Sequence, residues 1–184
     1  MVQSKSRNIL IHACCGICSG YPISLLKEMG YSPVVYFCNP NLDTEEEFCK
    51  RLQAQKIISE YFNVKLIVEN YNHEEFLHKI NGLEKEPERG KRCIKCIELR
   101  LDYAAQKTKE LQFDLFTTSL VISPHKDFNM IKNIGELLAK KYELEYLPLD
   151  FKIHRTTSSN KFNYIILKNF TTSIAFSEFS ANIH

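Results

Sequence analysis

No stretch of this sequence approaches the roughly 18 consecutive apolar residues that a membrane-spanning helix needs. Near the N-terminus, the apolar run Ile9–Ile11 breaks at His12 and is too short for the apolar region of a signal peptide. An excess of charge of one sign is missing too. With 24 basic and 22 acidic side chains the net charge is +2, which excludes a uniformly basic coat and leaves any nucleic-acid partner to a local patch. Glycine is scarce where phosphate would need it: ACCGICSG, residues 13–20, holds two and matches neither GxGxxG nor the P-loop. Nucleotide binding at this turn is therefore a minor alternative. No solenoid-type repeat is present. The seven cysteines are an odd number in a chain of 184 residues, far longer than the small secreted domains built on disulfide frameworks. These absences point to a reduced, cytoplasmic protein whose thiols are buried or bind metal.

A hydrophobic content of 44% suffices for one core and is small for two. Short apolar runs at residues 8–12, 33–37, 64–68 and 113–119 read as strands, with 144–149 as a further one. Between them lie helical patterns: 21–29, a segment ending near Phe62 and led by Glu45, Glu46 and Glu47, and 73–80. Another starts at Cys93 with a stripe of Ile97, Leu101, Ala104, Thr108 and Leu111. A last helix is expected from Ser123 and Pro124 to about Tyr142. Strands alternating with helices predict an open α/β fold with a parallel sheet, whose ligand site lies beyond the carboxyl ends of the strands. One domain is expected over 1–152. The polar segment 81–92, with Gly82, Pro87 and Gly90, reads as a mobile loop able to act as a lid.

The cysteines fall in two groups. Cys14, Cys15 and Cys18 sit where a strand becomes a helix, a place whose unpaired N–H groups favour thiolates. Cys93 and Cys96 are three apart at a helix start, beside Arg89, Lys91, Arg92 and Lys95. A lone CxxC is a weak signal, while CCxxC and CxxC together favour metal over scattered core thiols. Five thiols with an adjacent pair fit structural zinc poorly and a redox-active iron–sulfur centre better, though a zinc-stabilised RNA-binding module and a CxxC thiol–disulfide oxidoreductase stay open.

The remaining candidates are weaker. Cys38 reads as a small buried hydrophobe, Cys49 as helix packing and His12 as a hydrogen-bonded core histidine. Ser123, His125, Lys126 and Asp127 mark a helix N-terminus suited either to an anion or to a solvated cap. Glu84, Glu86 and Glu88 read as solvated. Lys85, Arg89, Lys91, Arg92, Lys95 and Lys126 would form an RNA-facing patch if they share a face.

The ordered motifs ILIHACCGICSGYPISLL, YFCNPNLDTEEEFCKRL, GLEKEPERGKRCIKCIELRL, FTTSLVISPHKDFNMIKNIGE and YLPLDFK resemble the QueH family of epoxyqueuosine reductases over residues 8 to about 152. The resemblance implies a nucleotide-alpha-hydrolase-like (HUP/Rossmann-like) core and reduction of epoxyqueuosine to queuosine in the wobble nucleoside of tRNA. It also implies a tRNA substrate, an electron donor and a 4Fe-4S cluster with an additional iron. The family's motif cysteines are matched here by Cys14, Cys15, Cys93 and Cys96, with Cys18 at a position that holds cysteine or aspartate. One departure stands out. Family members continue into a CxC pair taken to act as a redox couple, whereas residues 153–184 form an atypical tail without cysteine.

Overall fold

The computed structural model describes residues 7–154, with Ile165 and Lys168 beyond them. The expectation for the tail 153–184 therefore falls almost wholly outside the described residues. Five strands form one parallel sheet: β1 (Arg7–Ala13), β2 (Tyr31–Phe37), β3 (Leu66–Val68), β4 (Leu115–Thr118) and β5 (Glu145–Tyr146), in the order β3-β2-β1-β4-β5. Five α-helices connect or flank them: α1 (Gly16–Glu28), α2 (Glu45–Tyr61), α3 (His73–Ile80), α4 (Lys91–Glu110) and α5 (Phe128–Tyr142). This is the open α/β architecture that the strand and helix alternation predicts. None of the described helices is long and apolar enough to cross a membrane.

The apolar run of β1 is explained by burial on both faces. Ile9, Ile11 and Ala13 pack with Ile23 and Leu26 of α1 and Ile58 of α2. Leu10 turns the other way, onto Ala104 and Ala105 of α4 and Ala139 of α5. Each such isoleucine or leucine stabilises the fold by roughly 1.5–3 kcal/mol. The Arg7–Glu145 pair that ties β1 to β5 is exposed at 43% and 64%, so solvent screens it and it contributes little. Burial sets the register.

Chain direction decides where a ligand can sit. From β1 the chain moves outward through β2 to β3, then returns across the sheet to β4 on the other side of β1. The carboxyl ends of β1 and β4 thus flank the switch point of the sheet. Cys14 follows the first and Ser119 the second.

The strands expected over 64–68, 113–119 and 144–149 are shorter than expected, and three helix starts differ as well. The expected turn over 13–20 is shorter, because α1 begins at Gly16 and runs through Pro22. Small residues make this possible: a Cβ on Gly16 would lie 2.2 Å from the Ala54 carbonyl oxygen of α2. The helix expected from Ser123 starts at Phe128, since the carboxylate of Asp127 accepts the Met130 N–H at 2.7 Å while Ser123 Oγ caps only a local turn at His125. Residues 119–122 instead form a buried 3₁₀ turn whose Leu120 N–H donates to Thr118 Oγ1. Finally, α4 begins at Lys91, two residues before Cys93.

Gly16→Ala is expected to destabilise the chain by about 1–3 kcal/mol, the usual range for overpacking. The readout is a lower urea midpoint at unchanged slope; an unmoved midpoint would show that α1 and α2 have room to separate.

Candidate metal centre

Only Cys14 and Cys15 separate β1 from α1, and that brevity builds the site. Cys15 is the N-cap, extended at φ −170° and ψ 164°, without a side-chain cap bond, and Cys18 lies on the first turn of the helix. The three sulfurs fall within 4.8 Å of one another. The positive end of α1 and its unpaired N–H groups favour negative charge here.

The triad divides its protons unevenly. The thiol of Cys14 is held well below its ordinary range, first by the S–H groups of Cys15 and Cys18 donating to it, against the effect of burial, with the Arg100 charge assisting. Cys15 is pushed up to about 12, chiefly because its proton is held on Cys14, and Cys18 is raised for the same reason. The other two thiols and the helix end thus favour the thiolate form of Cys14. Soft sulfur donors gathered in this way fit a metal or iron–sulfur centre.

Buried polar groups brace the strand ends around this triad. His12 is fully buried; its Nε2 donates to the Cys38 carbonyl at 3.0 Å, and its Nδ1 meets Thr118 Oγ1 at 2.9 Å. Since the carbonyl can only accept, Nε2 carries the proton and the threonine hydroxyl donates to Nδ1. Burial, aided by Arg100, lowers the imidazole to about 3 and keeps it neutral. His12 is therefore the hydrogen-bonded core histidine expected from its strand position. Asn39, just past β2, donates from Nδ2 to the Ala13 carbonyl at 3.1 Å and accepts from Arg100 Nη2 at 2.6 Å.

Cys93 and Cys96 do not join the group of three within that 4.8 Å span. They line a separate cleft of about 350 Å³ with Asn41, Asp43, His73, Arg92 and Lys126. The Cys93 sulfur accepts the Arg89 N–H at 3.3 Å. The two groups still approach a common region, because Cys14 and Cys18 pack against the cluster of Ile97 and Leu101 of α4, which Ile94 also joins.

The other sequence candidates divide. Cys38 is buried as expected, at 2% exposure, whereas Cys49 is exposed and does not pack. It sits beside buried Phe48 on α2, and its own direction is outward. Glu84 and Glu88 are exposed, as expected of a solvated loop, and Glu86 is half-buried; the three also accept from Gly82 N–H, Lys91 N–H and the Lys126 ammonium respectively. Arg89 donates to the carbonyls of His125 and Pro124, and Lys95 pairs with Glu98. Lys85 and Lys91 are exposed. At α5 the capping carboxylate of Asp127 already fills the position where an external anion would bind. Arg100 and Asn39 escaped the sequence reading. Their signal was positional: Asn39 stands two residues past an apolar strand, and Arg100 interrupts a buried helical stripe.

Comparison with known proteins decides the family. A family model described as "Epoxyqueuosine reductase QueH" matches residues 9–179. The chain belongs to the QueH family. The QueH match runs past residue 152, into the tail without cysteine. Among curated relatives, epoxyqueuosine reductase QueH of Streptococcus pyogenes serotype M1 is 38% identical over 82% of this chain and 61% of its own length. The Staphylococcus epidermidis protein of the same name is 35% identical over 78% of this chain and 63% of its own. The chain thus spans about three-fifths of the length of these QueH relatives. A predicted subunit of tRNA methyltransferase from Methanocaldococcus jannaschii superposes with a TM-score of 0.55 at 14% identity, covering 83% of this chain and 76% of that one. That likeness concerns the fold alone, an open parallel sheet with flanking helices.

Reconstituted anaerobically with iron and sulfide, Cys14→Ser should lose most of its bound iron, whereas Cys49→Ser should keep the wild-type ratio. Iron analysis after desalting checks this, and equal loading of the two variants would remove Cys14 from the site.

Proposed function

We propose that this chain reduces the epoxide of epoxyqueuosine in the wobble nucleoside of tRNA, giving queuosine, with a 4Fe-4S cluster and an additional iron held by Cys14, Cys15, Cys18, Cys93 and Cys96. The observation that carries the reading is the thiol triad at the switch point of the sheet, in a chain of the QueH family. The net reaction takes two electrons and two protons and releases the epoxide oxygen as water. The bound centre would supply low-potential electrons and a Lewis acid for that oxygen.

The chain's own residues have distinct tasks in this reading. Cys14 is the sulfur most disposed to bind as a thiolate, and Cys15 and Cys18 would give up their protons on loading. The cleft beside Cys93 and Cys96 is large enough for an unstacked nucleoside and is lined by the rings of His73 and Phe76, whose centroids are 5.6 Å apart. Arg92 and Lys126 in the same cleft suit the phosphates on either side of that nucleoside. Lys126 is held near Glu88 at 3.4 Å, so part of its charge is already matched. The donor of electrons is a separate partner, and the working compartment is the cytoplasm, where tRNA is modified.

The test begins with anaerobic purification and analysis of iron, sulfide and zinc, followed by assay with epoxyqueuosine-containing tRNA and a chemical reductant. Iron, sulfide and conversion to queuosine support the reading; stoichiometric zinc in a colourless, inactive protein sinks it. Each of Arg92→Gln and Lys126→Gln is expected to weaken tRNA binding and to reduce the salt-dependence slope by about one. Unchanged slopes would place the RNA elsewhere.

A further inference from the structure

Arg100 is a buried cation linked through Asn39 to the strand end that carries the thiol triad, and nothing in the proposed ligand set accounts for it. It lies on α4 one turn beyond Cys96 and is 5% exposed. Nη2 donates to Asn39 Oδ1 at 2.6 Å, and Asn39 Nδ2 donates to the carbonyl of Ala13, the residue before Cys14. Nε is sealed from solvent and has no hydrogen-bond acceptor. Among the described residues no carboxylate forms an ion pair with this guanidinium.

An arginine cannot escape burial by losing its proton. A buried, unmatched cation is costly, so a fold that retains one needs an anion nearby. The Asn39 bridge ties the guanidinium to the end of β1 that presents Cys14, and on α4 it stands one turn beyond Cys96. The anion this placement offers it is a centre held by those thiolates. RNA phosphate is a poor alternative, because the orphaned Nε is closed to solvent.

We propose that Arg100 is a positioning residue whose fixed positive charge, aimed by Asn39, offsets the negative charge of the centre held by the Cys14 triad and raises its reduction potential. This rests on the iron–sulfur reading of the site. Reduction adds negative charge to a centre that thiolates already make anionic, and a buried cation favours the more negative state. The Ala13 carbonyl bond makes the device rigid: Asn39 ties the guanidinium to the same backbone that presents Cys14. The direct contact is with Asn39, and the effect on the centre is through space.

The experiment uses the full chain, reconstituted anaerobically, with iron and sulfide content and the midpoint potential measured by a spectroscopically monitored redox titration. Arg100→Gln removes the charge, Arg100→Lys keeps it, and Asn39→Asp keeps the arginine but neutralises it with a carboxylate. A more negative potential in R100Q and N39D, with R100K close to wild type, is the expected result. Faster release of iron to a chelator in the first two variants should accompany it. Wild-type potential in R100Q overturns the proposal, and if that variant fails to fold, an unshifted potential in N39D overturns it equally. A wild-type chain that takes up no iron and sulfide defeats the iron–sulfur reading itself, an outcome separate from a normal centre whose potential ignores Arg100.

Discussion

The burial of β1 on both faces is the constraint on which the rest depends. All seven of its residues pair with β2, and Leu10, Ile11 and His12 pair with β4. A one-residue slip would exchange the two faces, sending Ile9 and Ile11 toward α4 and α5 and Leu10 toward α1. With several kcal/mol of apolar burial opposing it, the strand has one register. The carboxyl end of β1 is therefore a fixed point. Cys14 is the first residue beyond it, and every group that matters for the centre is placed relative to that end.

Closeness between α1 and α2 completes the placement. Gly16 lets the Ala54 carbonyl approach, and Ser19 Oγ bonds Gln55 Oε1 at 2.8 Å on the next turn. With α1 pulled down in this way, its first turn begins immediately after Cys15. A longer connection would separate Cys18 from the other two sulfurs. The same shortness leaves the N-terminal N–H groups of α1 facing thiols instead of side-chain caps.

Polar burial at the strand ends has a consistent logic. His12, Thr118 and the Cys38 carbonyl satisfy one another across β1, β4 and the end of β2, and the imidazole stays uncharged. Arg100 differs, because its charge is permanent and its Nε lacks an acceptor. One group is neutral and closed off by hydrogen bonds. The other keeps a permanent charge, and Asn39 ties it to the strand end that presents Cys14.

Much of this was legible in the residues. The strand positions of β1, β2 and β4 followed from short apolar runs, and the stripe on α4 from its spacing, because both periodicities report burial directly. The two cysteine groups announced metal chemistry by residue type, and the ordered motifs pointed to the family. Local sequence was a poorer guide to boundaries: Ser123 and Asp127 both offer caps, and only packing of the buried 3₁₀ turn at Ser119–Ile122 gave the helix to Asp127. The outward direction of Cys49 depends on which face of α2 meets the sheet. What the sequence by itself determined was the donor chemistry and the parallel α/β plan, since thiols and apolar periodicity are properties of residues. The tertiary structure decided that Cys14, Cys15 and Cys18 cluster while Cys93 and Cys96 line a neighbouring cleft. It also buried Arg100 beside Asn39, a partner 61 residues away in the chain, and spacing along a sequence carries no record of which distant groups will share a buried charge.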